Sequence, residues 1–360
     1  MSSAQRRTGP VRLGLALLFA AACRPTTPEP APVSPEPEPP VDLFANIPYA
    51  SAPLPAATKV LLVAGGDDVA NFAADVLEQR TLWIEAGLRD DEIACYYAKP
   101  TIEAQQDDQE QYEQLRDALQ ACYSADPVTL HAHLRQVAKQ APPFLYLFVS
   151  SHGLPPLLRW KAGVDDANRL PARLDLQPGE IGRFDHHAIG LEGGSGPGLG
   201  QINRMLEAHR GGTPTEALVF TPNTLADALE ELPATSDTII VLQACFSGGF
   251  IGRPDDGPSP LTERPRTTIL TASSPLRPSF GCGSGSARTY YGGTFNRVLG
   301  QVIEQTPEPR SLSPATLPWA AIYEQVRFVV ETMERIDGET PSQPALFSNV
   351  PGAQTEPPPP

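Results

Sequence analysis

Short uninterrupted apolar runs alternate along the chain with stretches whose apolar residues recur at helical spacing. Lys59-Val-Leu-Leu-Val-Ala64 is such a run and stops at Gly65-Gly66, as a buried strand does before a turn. Asn71 to Glu85 carries Phe72, Val76, Trp83 and Ile84 on a helical period and is stopped by Gly87. Further strands are predicted at 93–97, 144–149, 238–242 and 267–271, with a last one at 345–347. Helices are predicted at 102–122, 127–140, 225–232, 289–304 and 316–336.

Strands without polar alternation are buried on both faces, and their alternation with helices implies a mostly parallel sheet covered on each side. The expected fold is therefore α/β, a three-layer sandwich of about six strands spanning residues 58–349. In such sheets ligands bind beyond the carboxyl ends of the strands. Two reactive side chains stand there: His152 after Phe144–Val149 and Cys245 after Thr238–Leu242. An insertion at about 154–215, with Asp185-His186-His187 and a glycine-rich stretch, breaks the rhythm and is expected to pack near those strand ends.

The two ends of the chain read differently. Leu13 to Ala22 is apolar behind Arg6, Arg7 and Arg12, too short to cross a bilayer but fit for an export signal, residues 1–22. Ala20-Ala21-Ala22-Cys23 resembles a bacterial lipobox, which implies cleavage before Cys23 and lipidation of its thiol. The alternative is an ordinary signal peptide and a secreted product. Arg24, where an aspartate would resemble an inner-membrane retention signal, favours the outer membrane. Residues 23–57 are proline-rich and read as a solvated tether, and 350–360 as a similar tail.

The net charge of −15, with no basic run in the mature chain, argues against a nucleic-acid partner. Beyond Cys23 the cysteines are Cys95, Cys122, Cys245 and Cys282, none at metal-site spacing, so neither a metal nor another cofactor is expected. If Cys245 stays free, one disulfide at most can form, and the sequence does not choose its pair. Cys282, in a glycine-rich loop, is either a structural thiol or a redox partner of Cys245. Adjacent His186 and His187 would point apart on a strand, and His131 and His133 are expected to be solvated.

A cysteine nucleophile needs a base, small neighbours and donors for an oxyanion. Ala244, Ser247-Gly248-Gly249 and Gly153 supply the small neighbours. Phe148-Val149-Ser150-Ser151-His152-Gly153 and Val241-Leu242-Gln243-Ala244-Cys245-Phe246-Ser247-Gly248 resemble the histidine and cysteine motifs of the caspase–legumain peptidase clan, closest to legumains. Leu62-Val63-Ala64-Gly65, Asn71-Phe72, Gly87 to Ile93, Val219 to Asn223, Thr271 to Pro275 and Tyr290-Tyr291-Gly292 extend the likeness over about 58–153 and 216–300.

The resemblance implies a caspase-like fold and a cysteine endopeptidase acting on peptides or proteins. Cys245 would be its nucleophile, His152 its acid–base group, and the N–H groups of Gly153 and Cys245 its oxyanion hole. Asn71 would orient the histidine, and Gln243 and Ser273 would line the first-side-chain pocket. Legumains place Arg and His shortly after that asparagine, an acid two residues before the cysteine, and an aspartate where Gly293 stands. Here Ala73, Ala74 and Gln243 take the first three places, so asparagine specificity is not expected. The alternatives are an inactive peptide-binding relative and a legumain-type transpeptidase.

Overall fold

The structure, a computed structural model, describes residues 40–156, 177, 179–192, 199–253, 257–283, 286–306 and 313–351. The apolar run ending at Cys23, the tether to Pro39, much of the insertion (157–176, 193–198) and the tail from Gly352 lie outside the described residues. In chain order the strands are β1 (Val60–Ala64), β2 (Ile93–Tyr97), β3 (Tyr123–Ser124), β4 (Phe144–Ser150), β5 (His152–Leu154), β6 (Ala188–Gly190), β7 (Asp237–Gln243), β8 (Gly252–Arg253), β9 (Gly257–Pro258), β10 (Thr267–Thr271) and β11 (Ala345–Ser348). The helices are α1 (Asn71–Glu85), α2 (Ile102–Asp107), α3 (Gln109–Leu119), α4 (Pro127–Gln140), α5 (Glu180–Phe184), α6 (Leu199–Arg210), α7 (Pro222–Ala228), α8 (Pro260–Glu263), α9 (Tyr290–Gln305) and α10 (Trp319–Ile336).

Seven strands form one sheet in the order β11-β10-β7-β4-β1-β2-β3, parallel except for the antiparallel edge strand β11. Alternate residues of each inner strand feed opposite cores, as a pleated strand with two covered faces must. Leu62, Phe148 and Val241 pack on one face against Trp83 of α1, Phe295 of α9 and Val326 of α10. Leu61, Leu147 and Ile240 pack on the other against Leu134 of α4 and Leu225 of α7. Each such fully buried aliphatic or aromatic side chain contributes about 1.5–3 kcal/mol by leaving water. The result is the expected three-layer sandwich, with seven sheet strands instead of about six. The additional one, β3, has two residues, too few to show a period.

Three other departures have local causes. The helix expected over 102–122 is broken at Asp108, whose backbone (φ −131°, ψ 39°) is not helical. The tether folds sooner than expected: Phe44 and Ile47 are buried in one core and Leu54 in the other. Phe44 meets Tyr112 edge-on with ring centroids 5.8 Å apart, and Leu43 N–H donates to Gln105 at 2.7 Å. These apolar anchors give residues 40–57 surface to bury, which the prolines around them do not. His131 is buried rather than solvated, and His133 is only partly exposed. His131 stacks on Phe220 and hydrogen-bonds the Pro127 carbonyl at 2.8 Å, and His133 bonds the Tyr96 hydroxyl at 3.0 Å.

Candidate active site

Strand register brings the two motifs together. Ser150 of β4 pairs with Ala64 on one side and with Gln243 of β7 on the other. His152 and Cys245 each stand two residues beyond that row, at the same end of adjacent strands. A Cβ added at Gly153 would lie 1.7 Å from the Cys245 carbonyl oxygen and 2.9 Å from its nitrogen, so only glycine permits this approach. The turn after β7 is sharp: Phe246 adopts φ +57°, uncommon for a residue with a side chain, and its N–H bonds the Arg277 carbonyl at 2.9 Å.

His152 is buried, its ring edge-on to Phe72 at 5.0 Å. Its Nε2 lies 2.7 Å from Asp68 Oδ1. Burial opposes the charged ring, but the hydrogen bonds to Asp68 and to Cys282 and the Asp68 charge outweigh it, raising the pKa to about 9. Asp68 follows β1 by four residues and so reaches the same sheet end. It was not singled out in the sequence, although an acid just past the neighbouring strand was the signal to use. Asn71, expected to orient the imidazole, opens α1 and donates instead to the Gly281 carbonyl at 2.7 Å.

Cys245 is half-buried and free. The Cys282 thiol donates to it and most lowers its pKa, against burial; N–H groups of Ser279, Gly153 and Cys245 itself add to the lowering, to about 7. Ser279 N–H lies 3.3 Å from Sγ. Cys282 is pushed the other way, upward, by its bond to Cys245 and by burial, so it remains the protonated donor.

The two expected pocket residues are both closed off from solvent. Gln243 accepts from Ser279 Oγ at 3.2 Å. Ser273 lies behind the Cys245 turn, donating to the Ala244 carbonyl and accepting from Ser247 N–H, each at 3.2 Å. A second residue missed in the sequence, Asp75 of α1, is fully buried and accepts from Ser150 Oγ at 2.9 Å and Thr289 Oγ1 at 2.8 Å. It thereby ties β4 to the helix that follows the Cys282 loop. Burial raises its pKa to about 7, against the two hydroxyls and Arg288.

The insertion is anchored at this end of the sheet. β5, which begins with His152, pairs antiparallel with β6, and His187 Nε2 bonds the Pro275 carbonyl at 2.8 Å. A Cβ at Gly249 would fall 2.1 Å from the His187 ring, so the glycine after Cys245 makes room for the insertion. His186 bonds the Gly182 carbonyl at 2.7 Å and Asn223 at 2.9 Å. Both imidazoles of the Asp185-His186-His187 run thus bond protein groups.

Residues 212–347 match the family model of the Peptidase C13 family. That segment carries Gln243, Cys245, Ser273 and Cys282, while Asp68, Asn71, His152 and Gly153 precede it. The match supports a cysteine-type peptidase of the legumain kind acting on peptide or protein. No curated protein matches the chain.

Proposed function

We propose that this protein is a cysteine endopeptidase with Cys245 as nucleophile, His152 as acid–base group and Asp68 as the positioning carboxylate. The observation that carries this is the close approach of Gly153 to the Cys245 backbone, which brings their N–H groups to one place, beside an imidazole whose Nε2 is held by Asp68. The thiolate attacks a peptide carbonyl, and the resulting oxyanion takes hydrogen bonds from those two N–H groups. His152 gives its proton to the departing amine, leaving a thioester. The neutral imidazole then takes a proton from water, which releases the acid. Cys282 bonds both Cys245 and His152, so a bound peptide has to part them.

Ala73, Ala74, Gln243 and Gly293 supply no charge where legumains hold their asparagine pocket, so another side chain is preferred. Incubation with a diverse peptide library, beside Cys245→Ala, is the test. Cleavage lost in the variant supports the peptidase; ligated products would indicate a transpeptidase, and binding without turnover an inactive relative.

The site works outside the cytoplasm, on a domain anchored through lipid on Cys23. A disulfide from Cys95, in the middle of β2, to Cys122, just before β3, supports an oxidising compartment, and two or three acyl chains would hold more firmly than one. Fractionation of cells making the native protein and Cys23→Ser tests the anchor. Soluble recovery of both would leave the secreted alternative.

A further inference from the structure

Cys245 and Cys282 are the two free cysteines among the described residues, and the Cys245 Sγ takes the N–H of Ser279, three residues before Cys282, at 3.3 Å. The segment carrying Cys282 is fastened over Cys245 at several points. Ser279 N–H reaches Sγ at 3.3 Å, Ser279 Oγ reaches Gln243 at 3.2 Å, and the Gly281 carbonyl accepts from Asn71 at 2.7 Å. Tyr290 N–H holds the Phe280 carbonyl at 3.2 Å. Cys282 bonds His152 as well, so it lies between the two groups assigned to catalysis. Both thiols are partly exposed, open to a small oxidant, whereas Cys95 and Cys122 are buried in their own bridge.

We propose that Cys245 and Cys282 form a reversible oxidation site, in which a Cys245–Cys282 disulfide switches the enzyme off and protects its nucleophile. The proposal rests on Cys245 being the reactive thiol of the site above. The oxidant is a peroxide. The Cys245 thiolate attacks one oxygen of hydrogen peroxide, the O–O bond breaks, hydroxide leaves, and Cys245 becomes a sulfenic acid. Cys282 sulfur then attacks Cys245 sulfur. The S–S bond forms, the S–O bond breaks, and the Cys282 proton leaves with the hydroxyl as water. The two thiols supply the two electrons that reduce the peroxide.

The surroundings suit each step. Before oxidation the Cys245 thiolate keeps Cys282 protonated, so one thiol of the pair attacks first. Once Cys245 is a neutral sulfenic acid, that restraint is gone, and His152 is in place to stabilise a Cys282 thiolate. A sulfenic acid with no thiol beside it would advance to sulfinic acid, which a thiol reductant does not reverse. The disulfide also locks the Ser279–Cys282 segment over Sγ and keeps substrate out.

The test uses the purified full chain, reduced, exposed to hydrogen peroxide, alkylated and mapped by mass spectrometry. A Cys245–Cys282 peptide pair removed by dithiothreitol is expected, beside an unchanged Cys95–Cys122 pair. Peptidase activity is expected to fall with peroxide and return with dithiothreitol. In Cys282→Ser the recovered fraction should be about tenfold smaller, with sulfinic Cys245 in its place; a thermal melt checks that this variant is folded. Over-oxidised Cys245 in the wild type with no bridge to Cys282, or equal recovery in Cys282→Ser, would overturn the proposal. If no peptide is cleaved by any form, the peptidase reading fails, and the mapped bridge still decides this one.

Discussion

The ends of β4 and β7 are neighbours in register, yet they present their reactive groups in opposite electrostatic settings. Beyond β4, His152 faces a carboxylate and is fixed by β-pairing to the insertion. Beyond β7, Cys245 meets neutral donors: backbone N–H groups and the Cys282 thiol. A charged partner raises the imidazole to about 9, while neutral donors bring the thiol to about 7. The ionisation of each group is thus set by what packs on its loop, since each motif alone contains only half of the arrangement. Cys282 contributes to both shifts, whereas Asp68 acts on the imidazole, so a change at Asp68 moves one shift without the other.

The largest effect is expected at the contact between the two ends. Gly153→Ala puts a methyl group into the Cys245 carbonyl, and turnover should fall by about 10³ or more as the oxyanion donors separate. Cys245→Ala should abolish turnover with the melt nearly unchanged, which separates chemistry from folding. Preserved kcat/KM in Gly153→Ala would break the claim that the two ends meet there.

Next comes the charge asymmetry. kcat/KM should rise as pH passes about 7, where Cys245 becomes thiolate, and fall beyond about 9, where His152 loses its proton; these limbs belong to the coupled pair. Asp68→Asn removes the charge that raises His152, so the alkaline limb should move to lower pH, with a loss of about 10² as the ring loses its orientation. Asn71→Ala should leave that limb where it is. A pH–rate profile of the three proteins decides between Asp68 and Asn71 as the positioning residue.

Smaller effects concern what stands behind each end. Ser273→Ala strands the Ser247 N–H and the Ala244 carbonyl behind the Cys245 turn, and chemical denaturation should show a loss of about 1–3 kcal/mol. Behind β4, Asp75 has a folded pKa of about 7 against an ordinary 3.8. The fold therefore prefers its protonated form; that stability is full below about pH 4 and is lost as pH rises through 7. Asp75→Asn stays neutral throughout, so its melting temperature should exceed the wild type's by more at pH 8 than at pH 5. An equal difference at both values would mean that Asp75 charging is not linked to folding.

Much of this site was legible in the sequence because strand ends are. Val-Leu-Leu-Val, Phe144–Val149 and Thr238–Leu242 declare themselves as two-face-buried strands, and a parallel sheet gathers whatever follows them at one end. His152, Gly153 and Cys245 needed nothing more to be picked out. Ser273 follows a strand in the same way but turned inward to hold the Cys245 turn, because position along the chain says nothing of side-chain direction in a loop. Asp68 and Asn71 are three residues apart after β1, and either could have faced His152. The choice went to Asp68 because Asn71 enters α1 and is drawn to Gly281.

By itself, then, the sequence determined the layer order of the core and the sheet end where the reactive residues gather. Both follow from apolar patterning, a property of each segment that survives translation into any compact arrangement. Only the tertiary structure decided which groups touch: Asp68 on His152, Cys95 joined to Cys122, and Cys282 set against Cys245. Those contacts join residues as far apart as Asp68 and His152, or Asn71 and Gly281, across loops with no period of their own. The ionisation of the pair depends on burial and on partners that meet only when the strands align.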